Sequence, residues 1–270
     1  MLMAVKNVIN NLKFFMNATL CSMKSAIEYK VSFLVQSIFM FINNGFWLIF
    51  WLIIFSRNGE NINGVTFDTI LYLWSIPVIS YGIAYFFFGG TANINKYIIS
   101  GQMDSYMLQP KSPLLNVLTS KCYFSAFGDL MYGIVIGLIV VKFDLLNFLL
   151  ILMFGIFGAI FYVSTSIILR SISVWLGDTE LIAKKYSDSL LTMFSIYPEQ
   201  LFSGILKVLL YTVIPVGYMA YMPINTVISF DITNVVYILI AGVIYIILAV
   251  FVFNKAMKSY ESGNTISMRN

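Results

Sequence analysis

Histidine is absent from the 270 residues. With it go His-based acid–base catalysis, histidine metal sites and catalytic triads, and no metal centre is expected. Cysteine is scarce. Cys21 and Cys122 stand far apart and make no CxxC, so they read as reduced structural thiols. No GxxxxGKS or GxxxxGKT occurs, which leaves the chain without a P-loop of its own. The largest deficit is charge: 10% of residues are charged, against about a quarter in a soluble domain. With 60% hydrophobic residues, a globular core under a polar shell is excluded and the lipid bilayer becomes the solvent. The first thirty residues hold lysines and no compact apolar core, so no cleaved leader is expected.

What is present is a series of long uncharged runs. A span needs about 20 residues to cross ~30 Å of hydrocarbon. Residues 31–56, 69–95, 122–141 (interrupted by Asp129), 145–169 and 232–254 supply five spans. The stretch 189–230 is too long for one span and too broken for two, since Glu199, Lys207 and prolines 198, 215 and 223 interrupt it. One span followed by a half-inserted helical hairpin at 204–230 fits it best. Six spans with both ends cytoplasmic place Arg57, Lys142 and Lys207 outside and every other lysine and arginine inside. The expected fold is an all-α integral membrane protein, one domain over 1–270, with a bilayer as partner. The net charge of +4 follows from that asymmetry alone, and no nucleic acid is expected.

Two parts of the inner face are patterned. Over 1–30, Val5, Val8, Ile9, Leu12, Phe15, Met16, Leu20, Met23 and Ile27 recur at helical spacing, with Lys6, Asn10, Lys13, Asn17 and Lys24 mostly opposite. That predicts an amphipathic helix in the headgroup plane, either a plain anchor or a lever on the first span. In the loop 93–118, Gly101 and Pro110 bracket about two helical turns, Asp104 suits the start of that helix, and Pro113 suits the first turn of the next. Such a short stiff helix is either a docking element or a plain connector.

Within the membrane, Asp129 lies about seven residues into the third span. A carboxylate there must face protein or water. It reads as a cavity or gate residue, or as a structural hydrogen bond aided by Tyr132 or Ser125. Glu199 after Tyr197–Pro198 reads as a kink with a cap on the following half-helix, or as a substrate contact. Pro215 and Pro223 read as the bends of the hairpin. Trp47, Trp51, Tyr81, Tyr85 and Tyr162 would line a path for apolar or cationic amphiphiles, or serve in packing. Trp175 suits an interfacial anchor.

The stretch GQMDSYMLQPKSPLLNVLTS resembles the G-x-L-D-x-x-L-x-x-P-x-S-x-L segment of ABC-2 type permeases, particularly the subfamily grouped with viologen exporters. SVWLGDTELIAKKYSDSLLTMFSIYP and VIPVGYMAYMPINTVI are similar to two further segments of it, in the same order. Gln109 stands where a basic residue is common, and Val174 where an aromatic is usual. The resemblance implies an export permease, not itself an enzyme, with Gly101, Asp104, Leu108 and Pro110 in a coupling region against a separate ATP-binding subunit. It implies a dimer of such subunits that hold ATP and Mg, a second permease (identical or a sister) and a cytoplasmic membrane location. Asp129, Tyr197, Pro198, Glu199, Pro215 and Pro223 become candidates for the path or gate. The alternative is an ATP-independent carrier, which would bring inverted repeats and paired intramembrane charges; neither is seen. The residue usage points to a low-GC bacterium.

Overall fold

The computed structural model describes residues 2–28, 30–62 and 64–261, with the side chains of 2–8, 26, 27 and 188 outside the described set. Val5, Lys6, Val8 and Ile27, four of the residues in the amphipathic pattern, therefore carry no side-chain description. The chain opens with α1 (Leu2–Ile27) and α2 (Lys30–Asn58). A two-stranded hairpin, β1 (Asn61–Ile62) on β2 (Val65–Thr66), leads into α3 (Phe67–Phe87). Three short helices follow: α4 (Ile94–Ile99), α5 (Met103–Met107) and α6 (Pro113–Leu118). Then come α7 (Ser125–Val140), α8 (Leu145–Ser171) and α9 (Ser173–Leu176). A continuous helix is made of α10 (Glu180–Lys184), a π-wound stretch Lys185–Leu190 and α11 (Leu191–Ser195). Finally α12 (Gly204–Thr212), a π-wound Gly217–Tyr221 running into α13 (Met222–Ser229), and α14 (Ile232–Ser259) complete it.

Side chains at the helix starts explain several boundaries. Thr66 accepts from the Thr69 amide ahead of α3, Asp144 from the Leu146 amide ahead of α8, and Asp231 from the Thr233 amide ahead of α14. Each satisfies an amide that the helix itself leaves unpaired. The turn between α7 and α8 is so tight that Lys142 and Phe143 both take positive φ.

Among the described residues, four helices are long and apolar enough to cross a membrane: α2, α3, α8 extended through α9, and α14. The pair α12 and Gly217–Ser229 reaches that length only as a unit bent by 75°. At 16 residues, α7 is shorter, about 24 Å at the α-helical rise. The helix 180–195 starts ahead of the uncharged stretch that opens at residue 189. Its first turns carry Glu180, Lys184 and Lys185, so they belong to no uncharged run. Long lysine stems let such a helix begin before the apolar part does.

At the centre is α3, with Ile70, Leu73, Trp74, Ile76 and Ile79 almost wholly buried. It packs on α7 and α8 through small residues. A Cβ at Gly133 would stand 2.7 Å from Ile79 Cγ1 and 2.9 Å from the Ile79 nitrogen, so only glycine lets the backbones approach this closely. Ser75 Oγ donates to the Gly133 carbonyl at 3.1 Å across the same contact. Apolar side chains on α2 and α14, including Phe39, Phe46, Ile247 and Phe251, stay exposed, as suits helices whose solvent is hydrocarbon.

Candidate functional site

The loop between α3 and α7 is a folded unit. Met103 is fully buried among Ile94, Ile98, Val117, Ile167, Ala249 and Phe253, which pins the start of α5 to α8 and α14. Gly101 takes φ +73°, a conformation that favours glycine. Asp104 lies in the first turn of α5, as the dipole favours. The helix has five residues rather than two full turns. Pro110 is exposed after it, and Ser112 caps α6, with Pro113 in its first turn. Asn116 Nδ2 ties the loop to itself by donating to the carbonyls of Tyr106 (3.3 Å) and Lys111 (3.2 Å). Burial pushes the Tyr97 hydroxyl up to about 12, so it stays protonated beside Ser120, 3.1 Å away. Asp178, at the next connection, accepts from the Glu180 amide and Asn95 Nδ2 at 3.0 Å each. Those bonds hold its carboxyl below the usual range. Among the residues the loop leaves outward, beside the polar Gln102, Ser105 and Gln109, are Leu108, 87% exposed, and the exposed Met107.

Helix α1 lies against this unit. Lys111 Nζ donates to Asn11 Oδ1 at 2.8 Å, Ser22 Oγ to the Thr119 carbonyl at 2.8 Å, and the Phe15 and Phe88 rings sit 5.1 Å apart. Its opposite stripe, Ile9, Leu12, Met16 and Leu20, is exposed.

Inside the bundle a cavity of about 200 Å³ lies between α2, α3, α7, α8 and α11. Its walls include Asn44, Trp47, Trp74, Tyr81, Asp129 and Tyr162. Asp129 is the fifth residue of α7, and its principal partner is one the sequence did not indicate: Asn44 Nδ2 donates to Asp129 Oδ1 at 2.6 Å. Tyr132 takes part indirectly, its hydroxyl donating to the Asn44 carbonyl at 3.1 Å. Trp47 and Trp74 stack at 6.2 Å. The Trp74 indole N–H, on a side chain 2% exposed, has no hydrogen-bond partner among the described residues. The cavity therefore offers flat aromatic faces, one carboxyl group and one unused donor. Of the aromatics expected on a path, Trp47, Tyr81 and Tyr162 reach it; Trp51 packs on Tyr197 instead, rings 6.0 Å apart. Trp175 is 44% exposed on α9. The Asn43–Asn44 pair in the middle of an uncharged run was the available signal for a polar lining.

Tyr197, Pro198, Glu199, Pro215 and Pro223 do not line this cavity. Glu199 caps no half-helix. It pairs with Lys207 Nζ at 2.9 Å and accepts from the Tyr211 hydroxyl at 2.9 Å, because the 3-10 turn Glu199–Leu201 aims it at α12. Pro215 does sit at the 75° bend. Pro223 does not bend the chain; it follows the π-wound turn and sits in the first turn of α13. Local π winding is one way a helix accommodates a proline. The break at Pro215 frees the last carbonyls of α12, and two hydroxyls from other helices take them. Tyr245 donates to the Thr212 carbonyl at 3.0 Å, and Tyr186 donates to that of Val213. Tyr245→Phe is expected to cost about 1 kcal/mol and to increase cleavage of the 213–216 connection by added protease. Unchanged cleavage would show that the strap is dispensable.

A family model for ABC-2 family transporter proteins matches residues 41–264. No curated protein and no solved structure matches the chain. Permeases of this family work with an ABC ATP-binding subunit. The match takes in the later part of α2 and everything from α3 to α14, and on it the chain belongs to the ABC-2 family, as a multi-pass membrane permease of the ABC exporter kind.

Proposed function

We propose that this chain is the membrane half of an ATP-driven exporter that moves an amphiphilic drug, peptide or lipid outward by alternating access. The observation that carries the reading is the α5 loop: a short helix pinned by buried Met103 and presenting Met107 and Leu108 to the outside. Gly101, Asp104, Leu108 and Pro110 form the coupling region, and the ATP-binding subunits that dock there hold ATP and Mg. Six spans follow if α7 crosses with local thinning and the helix 180–195 serves as the fifth. The bent pair 204–229 is then re-entrant, and α1 lies in the headgroup plane with its exposed stripe toward lipid. Both termini and the α5 loop face the cytoplasm of a bacterial cell, and a second permease, identical or a sister, completes the path.

In this scheme the aromatic cavity beside Asp129 receives the cargo, and Tyr197, Pro198, Glu199, Pro215 and Pro223 shape the outer gate. When the ATP-binding subunits close, the loop that carries α5 and α1 are displaced together, because three contacts join α1 to Phe88, Lys111 and Thr119 along that loop. Leu108→Asp is expected to leave the chain folded, since this side chain buries almost nothing, and to reduce ATP-driven transport in proteoliposomes at least tenfold. Undiminished transport would remove α5 as the coupling element.

A further inference from the structure

Arg170, at the end of α8, is the largest fully buried side chain, 1% exposed. Its guanidinium is permanently charged and presents five N–H donors. Nη1 donates to two neutral hydroxyls, Ser166 at 2.8 Å and Ser187 at 3.2 Å. Nε has no hydrogen-bond partner among the described residues. The carboxylate of Glu180 stands 4.0 Å from Nε on a side chain 43% exposed, beyond hydrogen-bond reach. A buried cation with no carboxylate in contact is costly to keep unless something else neutralises it. Arg170 lines a cavity of about 230 Å³, together with Tyr81, Tyr123, Asn93, Lys184 and Glu180. Tyr81 also lines the Asp129 cavity, so the two chambers adjoin along α3, the cationic one nearer the α5 loop.

We propose that this chamber is an oxyanion site, in which a carboxylate or phosphate group of an amphiphile docks on Arg170 Nε while its apolar body extends along the tyrosines toward the Trp47–Trp74 stack. Arginine's planar donor set matches either group. Lys184 at the rim adds a second positive charge, and Glu180 is the native competitor that swings aside. The inference rests on reading the chain as an export permease, since it gives the cargo an acidic head.

The test uses the purified full chain without any ATP-binding subunit, so failure of the export reading leaves its outcome untouched. Dodecyl phosphate is titrated into protein held in dodecyl maltoside, with dodecyltrimethylammonium as control. The wild type is expected to bind the phosphate amphiphile and not the control. Arg170→Gln should weaken that binding at least tenfold, and Glu180→Gln should tighten it by about threefold to tenfold. Displacement by inorganic phosphate assigns the site to small free anions, and displacement by phosphatidylglycerol vesicles alone assigns it to lipid headgroups; either supports the site. Equal affinity in wild type and Arg170→Gln overturns it. Should Arg170→Gln not fold, Glu180→Gln decides: no tightening overturns the proposal.

Discussion

Replacing Asn44 by leucine is expected to destabilise the fold by about 2–3 kcal/mol, the cost of leaving a buried carboxyl group without its donor. The 2.6 Å contact from Asn44 Nδ2 to Asp129 Oδ1 is the tightest link between α2 and α7, and the Asn44 carbonyl holds Tyr132 as well. The variant Asp129→Leu should lose a similar amount. Combining the two should recover most of the loss, because two apolar groups of similar size leave no unpaired polar atom. Thermal unfolding of the four proteins in one detergent measures the cycle. If the double variant is no more stable than either single one, the pair is not a unit. The recovered double variant should still transport poorly, since the cavity then lacks its carboxyl group.

Gly90→Ala should act at the loop instead. The new Cβ would stand 1.7 Å from the Val117 carbonyl oxygen and 2.5 Å from Ser120 Oγ. The oxygen belongs to backbone at the end of α6 and cannot rotate away, so α6 must lift off the 3-10 turn Gly89–Asn93 that follows α3. Ser120 also bonds Tyr97, which carries the disturbance to α4. The expected result is a chain whose long helices still assemble and whose α5 loop no longer holds its shape. Association with the ATP-binding subunit should fall at least tenfold, with protease cleavage appearing between residues 100 and 113. Normal association would mean that the loop tolerates displacement, and docking would then rest on Leu108 and Met107 alone.

How much of this was legible in the sequence divides along physical lines. Runs without charge gave α2, α8 and α14 to within about five residues, because a span in lipid must be apolar over its whole length; the run to residue 95 overshot α3, which ends at Phe87 before an uncharged 3-10 turn. Gly101, Pro110 and Pro113 marked the short helices of the loop, because backbone-restricted residues act locally. The span expected ahead of the hairpin corresponds to the helix 180–195, whose first turns lie before residue 189 because their charges interrupt the apolar run. Partnerships between distant helices were beyond reach: nothing near Asp129 announces Asn44, 85 positions earlier. The same holds for Glu199, whose partners lie across a turn on α12, and for Arg170, whose burial depends on where the helix 180–195 falls. Pro215 and Pro223 look alike in sequence, yet only the first breaks its helix, since the second is absorbed by π winding.

The most direct test of the account is a cross-link from the α5 loop. A chain with Cys21→Ser and Cys122→Ser removes the native thiols, and Leu108→Cys then places a single thiol at the exposed tip. Co-expressed in membranes with its ATP-binding subunit, this protein should form a specific adduct with that subunit under a short bifunctional maleimide. The yield should change when ATP is added. The same substitution at Leu146, exposed at the start of α8 at the far end of the bundle, should give none. No adduct from position 108, or an equal one from 146, would contradict the assignment of α5 as the surface through which ATP hydrolysis moves the membrane helices.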